Sequence, residues 1–212
     1  MIYILRYFYI NKISQFFKYS YMSQTNKEKY GEVLTPYSLI NELLDQIPSE
    51  YFSESSLWLD PAAGTGNFGH CLLERGINKS QIVNVEINNE HEKILKDKFT
   101  HVIIDDFLNF SHHCESKFDI VLGNPPYNSG GLVKVPTNNS LVKKNDGVTL
   151  WREIMKKAFS FVKENGFLCF IIPALWMKPD KFGMYDFITR YKIHYLSCLT
   201  NTQSNYYLIN KH

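Results

Sequence analysis

Residues 56 to 69 read Ser-Leu-Trp-Leu-Asp-Pro-Ala-Ala-Gly-Thr-Gly-Asn-Phe-Gly, a short apolar strand that runs into a glycine turn and then a helix starting near Asn67. Gly64 and Gly66 let the backbone approach a ligand closely, and Asp60 at the strand's end can accept from a cation or an amine. That is a nucleotide-type cradle. Outward from it, strands and helices alternate: helix 37–47, strand 56–60, helix 67–75, strand 82–87, helix 89–99, strands 101–105 and 118–123, helix 150–163, strand 167–172, helix 181–191 and strand 193–199. Residues 205–210 are read as a last, antiparallel edge strand. The pattern predicts an α/β, doubly wound, mainly parallel sheet in a single domain, with its sites at the carboxyl ends of the strands.

Taken literally, Gly64, Gly66 and Gly69 also fit a dinucleotide fingerprint, with Glu86 about 20 residues further on at the end of a strand. A NAD-binding oxidoreductase is therefore one reading. It has to explain a carboxylate at Asp60, where that fingerprint has apolar strand, and it gives residues 124–127 no role.

Those residues are Asn-Pro-Pro-Tyr, directly after the apolar run 118–123. Pro125 and Pro126 donate no backbone N–H. The arrangement suits a planar amine. The exocyclic amine of adenine is a poor nucleophile because its lone pair is delocalised into the ring; two acceptors on its N–H groups draw it toward tetrahedral geometry. The carboxamide oxygen of Asn124 and the carbonyl of Pro125 are candidates for these acceptors, and Tyr127 for a ring that stacks on the base. Standing alone, the tetrapeptide also reads as a strand-ending turn.

With these pieces in order, the chain resembles the amino-directed S-adenosylmethionine-dependent methyltransferases, and among them the DNA adenine-N6 methyltransferases of the gamma order. The resemblance covers roughly residues 30 to 200 and rests on Gly-Glu-Val-Leu-Thr-Pro at 31–36, the loop from Asp60 through Pro61, Ala62, Gly64 and Gly66 to Phe68, Val-Glu-Ile at 85–87, Asp-Asp-Phe-Leu at 105–108, and residues 124–127. It implies a Rossmann-like class I methyltransferase fold with S-adenosylmethionine as cofactor. Thr35 and the loop at 62–66 would hold the cofactor's methionine end, and Asp60 its amino group. Glu86 would take the ribose hydroxyls and Asp106 the adenine amino group, with Phe107 packed on that ring. Asn124, Pro125, Pro126 and Tyr127 would be the catalytic residues, acting on an adenine flipped out of DNA.

Each residue also has a plainer reading. Asp106 beside Asp105 fits a helix cap or a solvated strand end. Phe107 fits the core, and Thr35-Pro36 a helix start. A glutamine-N5 protein methyltransferase shares the Asn-Pro-Pro-Tyr tetrapeptide and remains an alternative. Against it stand the Asp-Pro-Ala-Ala stretch and the Thr35-Pro36 segment.

Composition agrees with one sizeable core: 212 residues, 44% hydrophobic and 15% aromatic. The net charge of +2 hides an asymmetry, since residues 31–123 carry 6 Lys and Arg against 15 Asp and Glu, and residues 124–212 carry 12 against 5. A basic half beside Asn124 is what a phosphate backbone needs, and the lysine-bearing stretch 128–149 reads as a functional loop. The four cysteines form no Cys-x-x-Cys pair, which points to reduced thiols in a cytoplasmic protein. His112-His113-Cys114 lacks a second ligand pair at zinc spacing, so no metal is expected.

Residues 1–21 are apolar and aromatic but interrupted by Arg6, Lys12 and Lys18, too charged to span a bilayer. They read as an extension ahead of a catalytic domain at 22–212, from an upstream reading frame or as a helix packed on the domain. In the family a second aromatic in the loop after the sixth strand closes the base pocket. Residues 201–205 have none, leaving Trp176, Tyr206 or Tyr207 as substitutes. The family's target-recognition domain is not evident either, so either a separate specificity subunit or domain reads the sequence, or specificity is slight, or the chain is a fragment; the expected partner is DNA, with a monomer and no membrane contact.

Overall fold

The computed structural model describes residues 5–8 (backbone only), 34–111, 117–127, 150–177, 179 and 181–199. Among the described residues seven strands form one sheet: β1 Leu5–Phe8, β2 Trp58–Asp60, β3 Ile82–Glu86, β4 His101–Ile104, β5 Phe118–Gly123, β6 Val162–Pro173 and β7 Leu196–Leu199. Their order is β4-β3-β2-β5-β6-β1-β7, and every pairing is parallel. The helices are α1 Tyr37–Leu44, α2 Asn67–Glu74, α3 Glu92–Lys98, α4 Trp151–Ser160 and α5 Met184–Thr189.

Strand alternation divides the core into two layers, as a sheet covered on both faces requires. Trp58, Ile82, Ile120, Leu122, Cys169 and Ile171 pack with Leu39, Ile40, Leu43 and Leu44 of α1, Phe68, Cys71 and Leu72 of α2, and Leu95 of α3. On the other face Leu59, Val85, Val121, Leu168, Phe170 and Ile172 meet Trp151, Ile154, Met155 and Ala158 of α4 and Met184 and Ile188 of α5. The α4 residues recur at i, i+3, i+4 and i+7, one stripe of a helix. Large side chains such as Ile154 and Met155 each contribute about 1.5–3 kcal/mol when fully buried.

From β2 the chain winds outward through β3 to β4, then returns to start β5 on the opposite side of β2. The switch point of the sheet lies between β2 and β5, where ligands of such folds sit. Gly123 shows how closely those ends approach: a Cβ there would lie 3.0 Å from Asp60 Oδ1 and 3.4 Å from Pro61 Cδ.

Two elements differ from the sequence reading. Leu5–Phe8, from a segment read as an extension or a helix, is a strand between β6 and β7, with Leu5 opposite Phe170 on one side and Leu196 on the other. Strand β6 begins at Val162, five residues before the expected start, and α4 ends correspondingly early at Ser160. The added residues hold to β5 through a register shift: Val162 pairs with Phe118, Phe167 with Ile120, and the Lys163 amine reaches Asp119 Oδ2 at 2.8 Å. Asn165 takes the left-handed turn between them at φ 64°. The expected edge strand at 205–210 lies outside the described residues.

Candidate active site

Four strand ends bring the expected residues to one edge of the sheet. Asp60 closes β2, Glu86 closes β3, Asp105 and Asp106 follow β4, and Asn124 follows β5. The glycine loop spans the gap between the first two. Gly64 and Gly66 adopt φ of 55° and 85°, a region glycine enters without penalty. Gly66 then starts α2, where an added Cβ would lie 2.6 Å from the Phe99 ring. The loop is tied down by Ala63 N–H donating to the Val85 carbonyl at 3.0 Å, and by Gly64 N–H donating to Glu86 Oε2 at 2.6 Å.

Glu86 is 7% exposed, and its other oxygen accepts from Asn88 N–H at 2.8 Å. A carboxylate oxygen can accept two bonds, so ribose hydroxyls would join these donors without displacing them. Asp60 is 1% exposed. Its Oδ1 accepts from Ala62 N–H at 3.1 Å, and its Oδ2 is buried with no hydrogen-bond partner among the described residues. Burial drives the Asp60 pKa up to about 8, with the nearby Glu86 charge adding to the rise and the Ala62 bond opposing it. A buried acid with one oxygen unsatisfied, beside a glycine loop, fits the ammonium end of an amino-acid-bearing cofactor.

Asp106 Oδ1 caps its own turn by accepting from Leu108 N–H at 2.9 Å. Phe107 is 3% exposed, stacked on Phe110 with centroids 5.8 Å apart and packed near Phe161. Phe68 is likewise core, at 4%. These two aromatics hold the loops that carry the polar groups, as the plainer reading of Phe107 has it. Pro61 is buried behind Asp60, and Ala62 is half-buried.

Thr35 joins the two halves of the site. It is 4% exposed; its carbonyl accepts from the Asn67 side-chain amide at 2.9 Å, and its hydroxyl oxygen accepts from Asn124 Nδ2 at 3.1 Å. Among the described residues nothing donates to Asn124 Oδ1 or to the Pro125 carbonyl. Pro125 is buried, and Pro126 and Tyr127 are half-buried, with Tyr127 packed against the α4 layer. The Tyr127 carbonyl accepts from Leu150 N–H at 3.1 Å, fixing the start of α4. Burial pushes the Tyr127 hydroxyl above the ordinary tyrosine range.

Trp176 is 3% exposed and belongs to the core, so it offers no open ring as a second wall of a base pocket. Tyr206, Tyr207 and residues 112–114, 128–149 and 201–205 lie outside the described residues. Among the described residues no group of three His, Cys, Asp or Glu could hold a metal ion, and no helix is long and apolar enough to cross a membrane. Asn67 and Asn88, which position the loop and the acid, were not singled out from sequence. Their signal is local: each follows a turn and opens a helical segment.

Comparison with known proteins bears on the family and the fold. The modification methylase CviBIII of Paramecium bursaria Chlorella virus NC1A is 29% identical over 163 residues, covering 72% of this chain and 40% of the relative. A tRNA1(Val) (adenine(37)-N6)-methyltransferase of Erwinia tasmaniensis is 27% identical over 124 residues, 55% of this chain and 50% of that one. The type I restriction-modification system methyltransferase subunit of Streptococcus thermophilus superposes with a TM-score of 0.53 at 16% identity, over 71% of this chain and 36% of that one. That match supports the class I methyltransferase fold. The chain spans 28% to 40% of the length of three curated methylases that it matches. The sequence model of the Eco57I restriction-modification methylases covers residues 10–203, and the chain belongs to that family.

Proposed function

We propose that the chain transfers a methyl group from S-adenosylmethionine to the exocyclic N6 amine of adenine in DNA, acting on a base flipped out of the duplex. The observation that supports this most is the pair of open acceptors after β5, Asn124 Oδ1 and the Pro125 carbonyl, beside a buried acid and a glycine loop. When bound, the sulfonium supplies an electrophilic methyl group, its S–C bond breaking to leave a neutral thioether.

Asp60 would take the cofactor's amino group, Glu86 its ribose hydroxyls and Asp106 its adenine amino group; Thr35 and the loop at 62–66 would hold its methionine end. Asn124 and Pro125 accept the two N–H groups of the target amine and turn its lone pair toward the methyl carbon. As the new N–C bond forms, the same two dipoles stabilise the positive charge on nitrogen, and the surplus proton then leaves to solvent. Tyr127 stacks on the extruded base, returning about 1–3 kcal/mol against an unstacking cost of a few kcal/mol. Sequence recognition falls to a separate subunit or domain around a monomeric, cytoplasmic catalytic unit.

The similarity to a tRNA adenine-N6 enzyme favours one second reading, the same chemistry on structured RNA. The test is labelled methyl transfer from S-adenosylmethionine to a DNA duplex, a tRNA transcript and a release-factor protein, each with and without a specificity polypeptide. N6-methyladenine in the duplex by mass spectrometry is the expected product. Label confined to tRNA selects the second reading, and label on a protein glutamine overturns both.

A further inference from the structure

Helix α4 starts at the carboxyl edge of the sheet, where Leu150 N–H bonds the Tyr127 carbonyl. Arg152 sits in its first turn. The connection from the end of β6 to α5 reaches the same place, bringing Phe182 under Arg152 with the guanidinium carbon 3.7 Å from the ring centroid. The Lys181 amine lies 5.0 Å from that ring. Phe182 is 50% exposed, as are its neighbours along the connection Leu175 at 56% and Met177 at 40%.

Among the described residues neither Arg152 nor Lys181 meets a carboxylate. The adjacent Glu153 turns instead to Lys156 at 3.5 Å. Among the described residues the Arg152 Nε is buried without a hydrogen-bond partner, and its guanidinium carbon also lies 5.6 Å from the Trp151 ring. Among the described residues, two cations thus share one exposed aromatic ring with no carboxylate beside them. A guanidinium held over a ring keeps N–H donors at its edge, a geometry suited to the paired oxygens of a phosphate.

We propose that Arg152, Lys181 and Phe182 form a grip for the phosphate backbone of the DNA strand carrying the target adenine. Arg152 and Lys181 bind successive phosphates, and the free face of the sugar or base next to the target lies against Phe182. The inference rests on the DNA reading above, and it places the strand along the edge between the start of α4 and the start of α5, beside Tyr127.

The test is fluorescence anisotropy of a labelled adenine-containing duplex with the full chain, titrated across potassium chloride concentrations. R152A and K181A are each expected to weaken binding roughly 10-fold and to reduce the slope of log affinity against log salt by about 0.9. R152K is expected to keep the slope and lose part of the affinity, because the charge remains and the fork does not. F182A is expected to weaken binding at unchanged slope, and all four variants to keep the wild-type affinity for S-adenosylhomocysteine. A double variant R152A/K181A with wild-type affinity and slope overturns the proposal, as does a wild-type chain that does not bind the duplex at low salt. So does displacement of the duplex by an acidic peptide at concentrations where inorganic polyphosphate has no effect. Duplex binding with the expected salt slopes but no methyl transfer would remove the methylation reading and leave this surface standing.

Discussion

The Nδ2 amino group of Asn124 donates to the hydroxyl oxygen of Thr35 at 3.1 Å, across 89 positions of sequence. The bond fixes which end of the carboxamide faces outward. With the nitrogen engaged, Oδ1 is presented as an acceptor; without it the amide can turn its donor toward an incoming amine and repel it. At saturating cofactor, Thr35→Val is therefore expected to lower the single-turnover rate roughly 10-fold, and Thr35→Ser to restore most of it. Asn124→Ala is expected to cost a factor of about 100 or more while leaving cofactor affinity largely intact. In the Asn124→Ala background, Thr35→Val should have no further effect on rate; a further 10-fold loss there would show that Thr35 acts by another route.

Tyr127 offers its ring, with its hydroxyl drawn into the buried layer above the ordinary tyrosine pKa. Tyr127→Phe is expected to keep most methylation, and Tyr127→Ala to raise the KM for DNA with little change in cofactor affinity. Steady-state kinetics at varied duplex concentration decide it. Equal loss in both variants would assign the role to the hydroxyl.

Asp60 makes the unliganded protein sensitive to pH. Its pKa rises from 3.8 to about 8 on folding, so between roughly pH 4 and pH 8 the native state holds a proton that the unfolded chain has released. Stability from this group is complete below that window, falls as pH rises through it and is level above. The thermal midpoint is expected to drop between pH 5 and pH 8.5 more steeply in wild type than in Asp60→Asn. A cofactor ammonium would draw the proton off, so calorimetry near pH 7 in buffers of different ionisation enthalpy should detect proton release on binding, absent in Asp60→Asn.

Gly123 permits the close approach of β2 and β5. Gly123→Ala places a methyl group 3.0 Å from Asp60 Oδ1, so either the carboxylate or the strand end must shift. The expected cost is about 1–3 kcal/mol in urea denaturation, with weakened cofactor binding measured in parallel. Unchanged stability and affinity would mean that the two strand ends separate freely.

Asn84, fully buried in β3 opposite Asp60, has neither side-chain polar atom hydrogen-bonded among the described residues. Asn84→Leu, of nearly the same shape, is expected to raise stability by about 1–3 kcal/mol at an unchanged urea m-value, because it removes a desolvation cost with no bond to lose. Destabilisation of that size would reveal a buried partner such as an ordered water.

The sequence alone determined the alternating strands and helices, the parallel sheet and the set of acids and amides at its carboxyl edge. Its apolar runs are short and bounded, and Asp60, Glu86, Asp106 and Asn124 each follow one of them. Strand polarity then puts all four on the same side. Tertiary structure decided the rest. Leu5–Phe8 reads from sequence as one more apolar stretch, and only the vacant backbone edges of β6 and β7, whose donors and acceptors need partners, make it a strand. Residues 162 and 163 read as the end of a helix and 164–166 as a connection, and they join β6 because Val162 pairs with Phe118 and Lys163 finds Asp119, 44 residues away. Phe107 and Phe182 show the limit most plainly. Composition treats the two rings alike, yet packing puts the first against Phe110 in the core and leaves the second exposed beneath Arg152, and no local pattern encodes which neighbours a ring will meet.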